Sequence, residues 1–117
     1  MRPIAEALAK VLLEHHRQLC RPLKQTAAVG VTEQQVSHCV ISYGELCRKA
    51  HPSCAPVGAG GFLYEIHQWC VKEKKWPPLN SLVVNKQTKE PGQNYPSRHW
   101  KNEVRNCIAF SYPDRPL

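Results

Sequence analysis

The chain has 117 residues, enough for one hydrophobic core but too few for two independent ones. Its 16 Lys and Arg outnumber 9 Asp and Glu, so a formal charge of +7 sits on a small surface, and polyanions are the natural partners of such a field. No apolar run approaches the roughly twenty residues of a membrane span. The scattered acidic residues offer neither a hydrolytic carboxylate pair nor a nuclease metal centre.

The first predicted element is an amphipathic helix. Ile4, Leu8, Val11, Leu12, Cys20 and Leu23 recur at helical intervals while Glu6, Lys10, Glu14 and Arg17 take other faces, and the helix is expected to end near Arg21-Pro22. His15 and His16 resemble a metal pair, but neighbouring helical residues point about 100° apart and do not converge on one ion; exposed histidines are expected. A polar segment over 24–30 leads to 31–37, where Thr32 is placed to cap a short helical turn.

Ser42 followed by Glu45 forms a capping box for a helix over 43–50, with Leu46 and Cys47 facing inward. Pro52 stops it, and residues 51–61, loaded with Pro52, Pro56, Gly58, Gly60 and Gly61, read as a turn. Phe62, Ile66, Trp69 and Cys70 then set the core side of a second helix over 62–74, the candidate recognition helix of a helix-turn-helix. On its other side Gly60, Gly61, Tyr64, Glu65, His67 and Gln68 are expected to be exposed, Glu65 being an awkward neighbour for phosphate.

Pro77-Pro78 makes a rigid connection to a predicted strand over 79–85. A polar turn over 86–94 and a return strand from Tyr95 complete a β-hairpin wing tipped by Lys86 and Lys89. A last helix is expected from Ser97 towards Tyr112, with Trp100, Val104 and Cys107 on the core, and residues 113–117 as a loose end. The fold class expected is thus α+β: a mainly helical winged helix-turn-helix in one domain. Residues 1–35 form a helical extension, 36–95 the helix-turn-helix and wing, and 96–117 the C-terminal helix and tail.

The cysteines at 20, 39, 47, 54, 70 and 107 follow no apolar leader and contain no Cys-x-x-Cys; Cys47, His51 and Cys54 lack the paired knuckles of structural zinc. Reduced, mostly buried thiols, no metal, no cofactor and a cytoplasmic setting are expected.

The run Ile41-Ser-Tyr-Gly-Glu-Leu-Cys, then Pro56-Val57-Gly58, then Pro-Pro-Leu-Asn-Ser-Leu-Val-Val-Asn, Pro91-Gly92 and Tyr95 resembles the C-terminal winged-helix domain of O6-alkylguanine-DNA alkyltransferases and the alkyltransferase-like proteins. The resemblance covers about 36–95. It implies a recognition helix that binds the DNA minor groove and a loop, Pro-Cys-His-Arg-Val-Val in that family, that accepts the alkyl group. Aligning Val83-Val84 with the paired valines puts Asn80, Ser81 and Leu82 where the family has cysteine, histidine and arginine, and an amide is no nucleophile. Residues 55–58 also offer no counterpart to the arginine that the family inserts into the base stack. Similar Pro-Pro-Leu and Val-Val-Asn patterns in small prokaryotic proteins imply a bacterial, plasmid or phage source.

The function expected is non-enzymatic binding of duplex DNA through backbone contacts. Tyr43, Gly60, Gly61, Tyr64, Gln68, Lys72, Lys74, Lys75, Lys86, Lys89, Arg98 and Lys101 are the candidate nucleic-acid-binding residues, and Arg2 and Lys10 on the first helix should lie outside that face. A module that docks on a nucleic-acid-processing or defence enzyme is the alternative, favoured if Trp69, Trp76 or Trp100 is an exposed anchor.

Overall fold

The structure, a computed structural model, describes residues 1–92 and 95–114, and the side chains of these except at 26–29. It is mainly helical with a small two-stranded sheet. Helix α1 (Pro3–His15) runs on without a break through a π-helical stretch, His16–Cys20, and a 3₁₀ stretch, Arg21–Val29. The first helix therefore does not end near Arg21-Pro22, where expected, but continues as 3₁₀ turns through 21–29. Then come α2 (Glu33–Cys39), β1 (Ile41–Ser42), α3 (Tyr43–Ala50), a 3₁₀ turn (Pro56–Gly58), α4 (Ala59–Gln68) with a π-helical continuation (Trp69–Lys74), a 3₁₀ turn (Leu79–Leu82), β2 (Val83–Val84) and α5 (Trp100–Ala109).

Local chemistry explains the boundaries. Thr32 accepts from the Gln35 N–H while the Gln35 side chain takes the Thr32 N–H, a reciprocal cap that starts α2. Ser42 likewise accepts from Glu45 N–H at 3.2 Å and starts α3 where predicted. Helix α4 begins earlier than its apolar periodicity suggested: Gly60 and Gly61 lie in its first turn rather than in the preceding loop. Helix α5 begins later, at Trp100, because Ser97 spends its hydroxyl on the His99 N–H at 3.0 Å. It ends at Ala109, and Phe110 and Tyr112 turn back into an aromatic cluster with Trp76 and Trp69.

The predicted hairpin is not found among the described residues. Only Val83–Val84 of the 79–85 run is strand, and it pairs in parallel with Ile41–Ser42, in the register Ile41–Val83 and Ser42–Val84. Both valines are buried, so this strand is core, whereas a wing strand would keep one face wet. Tyr95 belongs to no strand. After β2 the chain closes a tight loop in which Asn85 N–H donates to Glu90 O at 2.8 Å and Lys89 N–H to Asn85 O at 2.9 Å. The predicted turn over 86–94 lies partly outside the described residues, at 93–94, as does the predicted loose end over 113–117, at 115–117; its described part is not loose, since Asp114 pairs with Arg17 and Arg21.

One continuous core takes Leu8 and Leu12 from α1, Val36 from α2, Leu46 from α3, Ile66 from α4, Leu79 and Leu82 from the 3₁₀ turn, and Val104 and Ile108 from α5. Five of the six cysteines are buried with them, Cys54 being the partly exposed one. No helix among the described residues is long and apolar enough to cross a membrane.

The two histidines diverge as predicted, but they are not exposed. His15 Nε2 bonds the Cys39 carbonyl at 2.7 Å and His16 Nε2 the Cys107 carbonyl at 2.6 Å, so the pair staples α2 and α5 to the first helix. As neutral donors they satisfy two carbonyls. Burial pushes both imidazoles below their ordinary value of 6.5, outweighing the opposite pull of those hydrogen bonds. The unfolded chain therefore takes up protons first as pH falls, so the stability these groups confer is full above the ordinary histidine range and is lost below it. The melting temperature should drop between pH 7.5 and 5.5, before carboxylates titrate, and the drop should shrink in the His15→Gln, His16→Gln double variant. An unchanged wild-type midpoint across that window would contradict the assignment.

Candidate nucleic-acid interface

Helices α3 and α4, the 78–82 segment and the loop after β2 enclose a concave pocket of about 730 Å3, within the roughly 300–1,000 Å3 of ordinary ligand sites. Four of the predicted residues, Tyr43, Gly60, Gly61 and Tyr64, line it together with Asn80 and Tyr95. Gln68 lies just behind, its amide donating to the Tyr64 hydroxyl at 2.6 Å. Opposite, Gly92 N–H donates to the Tyr43 hydroxyl at 2.9 Å, and a Cβ on Gly92 would stand only 3.1 Å from that oxygen. Without a Cβ, Gly92 approaches the ring this closely with nothing having to shift.

Asn80 is the buried polar member of the lining, 4 % exposed. Its amide nitrogen meets His67 Nδ1 at 3.3 Å, while Oδ1 is sealed from solvent with no hydrogen-bond partner among the described residues. His67 is set in turn against the Tyr95 ring, whose hydroxyl donates to Glu103 at 2.7 Å. Burial first, and the Glu103 carboxylate second, push Tyr95 well above the ordinary tyrosine value, so it stays a neutral donor.

The segment that carries Asn80 is held from behind by side chains. Trp100 Nε1 donates to Ser81 O at 2.7 Å, Cys107 Sγ to Pro78 O at 3.2 Å and the Tyr112 hydroxyl to Pro77 O at 2.7 Å. Burial raises Cys107 to about 11 and Cys70 to about 12; these are inert core thiols. No cysteine lines the pocket, so the structure offers no thiol beside Asn80.

The remaining predicted residues separate into three groups. Lys86 and Lys89 line a neighbouring groove of about 590 Å3 with Arg48, Ser42 and Val84. Arg48 had not been singled out, although its place in the last turn of α3 beside Lys49 was visible in the sequence. Lys72, Lys74 and Lys75 are exposed on the π-helical end of α4, Lys74 standing 5.9 Å over the Trp76 ring. Lys101 is tied to Glu33 at 3.2 Å, and Arg105 reaches the same carboxylate at 3.7 Å, so neither is a free cation; Arg98 is exposed with no ion pair among the described residues.

Two expectations about charge are corrected. Glu65 does not confront a ligand as a bare carboxylate, because the Arg2 guanidinium forms an ion pair with it and the Arg2 backbone N–H donates to it at 2.9 Å. Burial raises its pKa, but these Arg2 bonds outweigh that and hold the carboxyl below its usual range. Arg2 is consequently not remote from α4: its guanidinium also stacks 4.2 Å over Phe62. As for aromatic anchors, Trp69 is buried, and Trp76 and Trp100 are half-buried, so none of the three is an exposed hot spot.

No family model, curated protein or solved structure matches the chain. The unpartnered Asn80 oxygen nevertheless makes a measurable demand, since a buried acceptor without a donor costs about 1–3 kcal/mol. Asn80→Leu, similar in size, should raise the melting temperature by roughly 3–5 °C through removal of about 1 kcal/mol of that cost. A loss of several degrees, read by calorimetry on the free protein, would mean that Asn80 is a fully satisfied core residue.

Proposed function

We propose that this chain binds duplex DNA without acting on it chemically, holding the backbone with its free cations and accepting in the pocket a base that has left the stack. The observation that carries this reading is the convergence of Tyr43, Tyr64, Gly60 and Gly61 with Asn80 on one concave surface, the Asn80 side-chain oxygen having no partner among the described residues. Aromatic walls receive a planar ring, a buried acceptor completes an exocyclic or ring N–H, and glycines at a helix start let a phosphate come close to backbone N–H groups. In this reading α3 and α4 act as the helix-turn-helix pair, and the 85–90 loop with Lys86 and Lys89 takes the role first given to a hairpin wing. The guanidinium of Arg48 in the same groove adds to it.

Binding should weaken steeply with salt. Four neutralised phosphates correspond to a log–log slope of roughly −3 to −4. Lys86→Ala with Lys89→Ala should leave folding within about 0.5 kcal/mol of wild type and reduce the slope by about 0.9 per lost contact on every duplex alike. Lys101→Ala, already paired with Glu33, should change little. A duplex with a single mismatch should bind about tenfold more tightly than its matched parent, equivalent to roughly 1.4 kcal/mol, because its base is cheaper to extrude. Asn80→Leu should abolish that preference while keeping the salt slope. Absence of binding to any duplex at low salt would overturn the proposal.

The same pocket predicts no alkyl transfer. After incubation with duplex carrying O6-alkylguanine, intact-mass measurement should find unmodified protein, since an amide at position 80 has no lone pair comparable with a thiolate. A stoichiometric adduct on any cysteine would refute the non-enzymatic reading.

A further inference from the structure

Cys54 is the one cysteine with access to solvent, and its Sγ lies 2.8 Å from Cys47 Sγ in the last turn of α3. Unbonded carbon atoms rest about 3.5–4.0 Å apart, and sulfur is larger, so the two sulfur atoms are in direct contact with nothing between them. The position is built: Cys54 N–H donates to His51 O at 3.1 Å, and Ser53 N–H to His51 Nδ1 at 3.0 Å, so a hydrogen-bonded turn presents Cys54 to Cys47. Directly after that turn, Pro56–Gly58 forms the pocket rim, with Val57 fully exposed.

We propose that Cys47 and Cys54 are a peroxide-sensitive dithiol that closes to a reversible disulfide and fastens the pocket rim to α3. The partly exposed Cys54 sulfur attacks one oxygen of hydrogen peroxide; the O–O bond breaks, and the thiol proton leaves with the other oxygen as water, giving a sulfenic acid. The Cys47 sulfur then attacks the Cys54 sulfur, the S–O bond breaks, and the hydroxyl leaves as water with the Cys47 proton. In balance, two thiols lose one electron each, one peroxide gains two, and one disulfide and two waters form. Burial, which pushes Cys47 up to about 12, makes it the resolving partner and leaves first attack to Cys54. The other four cysteines are buried and take no part.

The test needs neither DNA nor a known partner, so it stands apart from the binding proposal. Wild-type protein treated with a small excess of hydrogen peroxide should lose the mass of two hydrogens, and after alkylation under denaturing conditions it should carry labels on four of its six cysteines. Arg48 and Lys49 lie between the two cysteines, so trypsin should yield two peptides joined by this bond that separate on reduction. Cys54→Ser should abolish the loss. Cys47→Ser should leave Cys54 carrying added oxygen instead, because its resolving partner is gone. Either variant's fold is checked by its melting curve, but the wild-type map alone decides. Oxygen accumulating on wild-type Cys54 while Cys47 remains alkylatable, or a cross-link that maps to other cysteines, would overturn the proposal.

Discussion

The fastening of residues 77–82 to α5 and the chain that follows it is the constraint on which the pocket depends. Pro77 and Pro78 have no N–H to build a ladder, yet their carbonyls need donors once buried. Tyr112 supplies one at Pro77, Cys107 and the segment's own Ser81 N–H supply them at Pro78, and the Trp100 indole does so at Ser81. With three carbonyls pinned from one side, the intervening turn has little freedom, and its Asn80 is presented to the opposite side between α3 and α4. The valines that follow then reach β1 in parallel register. The same anchoring therefore sets the pocket wall and joins the halves of the sheet.

Charge is distributed by pairing more than by position in the chain. Acidic residues neutralise cations around the first helix and its neighbours: Glu65 takes Arg2, Glu14 and Asp114 take Arg17, and Glu33 takes Lys101 and Arg105. Among the described residues Arg48, Lys86 and Lys89, which share one groove, have no ion-pair partner. The loop after β2 lies between this groove and the pocket, giving Asn85 and Gly92 to the pocket and Lys86 and Lys89 to the groove. Unpaired positive charge thus adjoins the concave surface, whereas the excess of +7 read from composition says nothing about where it acts.

What was legible in the sequence was whatever local chemistry determines. Caps at Thr32 and Ser42 are short-range patterns, and the 3.6-residue spacing of Ile66, Trp69 and Cys70 marks a buried face without knowledge of its partner. The parallel ladder was not legible, because a β-branched pair such as Val83-Val84 does not reveal that its partner lies far upstream at Ile41, and a nearby polar turn made a hairpin the economical inference. Burial of His15 and His16 was missed for the same reason: each is satisfied by a carbonyl distant in sequence. Gly60, Gly61 and Tyr64 are exposed as expected, but that they share a concave surface with Tyr43 and Asn80 depends on contacts distant in sequence. Asn80 did carry a signal, a lone amide inside the apolar run from Leu79 to Val84, and it was weighed only as a missing nucleophile.

That amide also explains why the pocket is unlike a spare core cavity. Apolar cores gain by filling with leucine and valine, and a buried side chain with one end unsatisfied lowers stability unless something repays it. Here the surrounding groups are otherwise closely satisfied: Tyr43 is bonded to Gly92, Tyr64 to Gln68, Tyr95 to Glu103, and Ser81 to Cys107. A network so nearly complete isolates one acceptor, Asn80 Oδ1, as its exception. Exceptions of this kind call for an explanation, and functional positions are among the places where they are found. In the DNA-binding reading proposed above, a donor-bearing planar ring on a strand held by the adjoining cations would answer that acceptor, those tyrosines and that charge together.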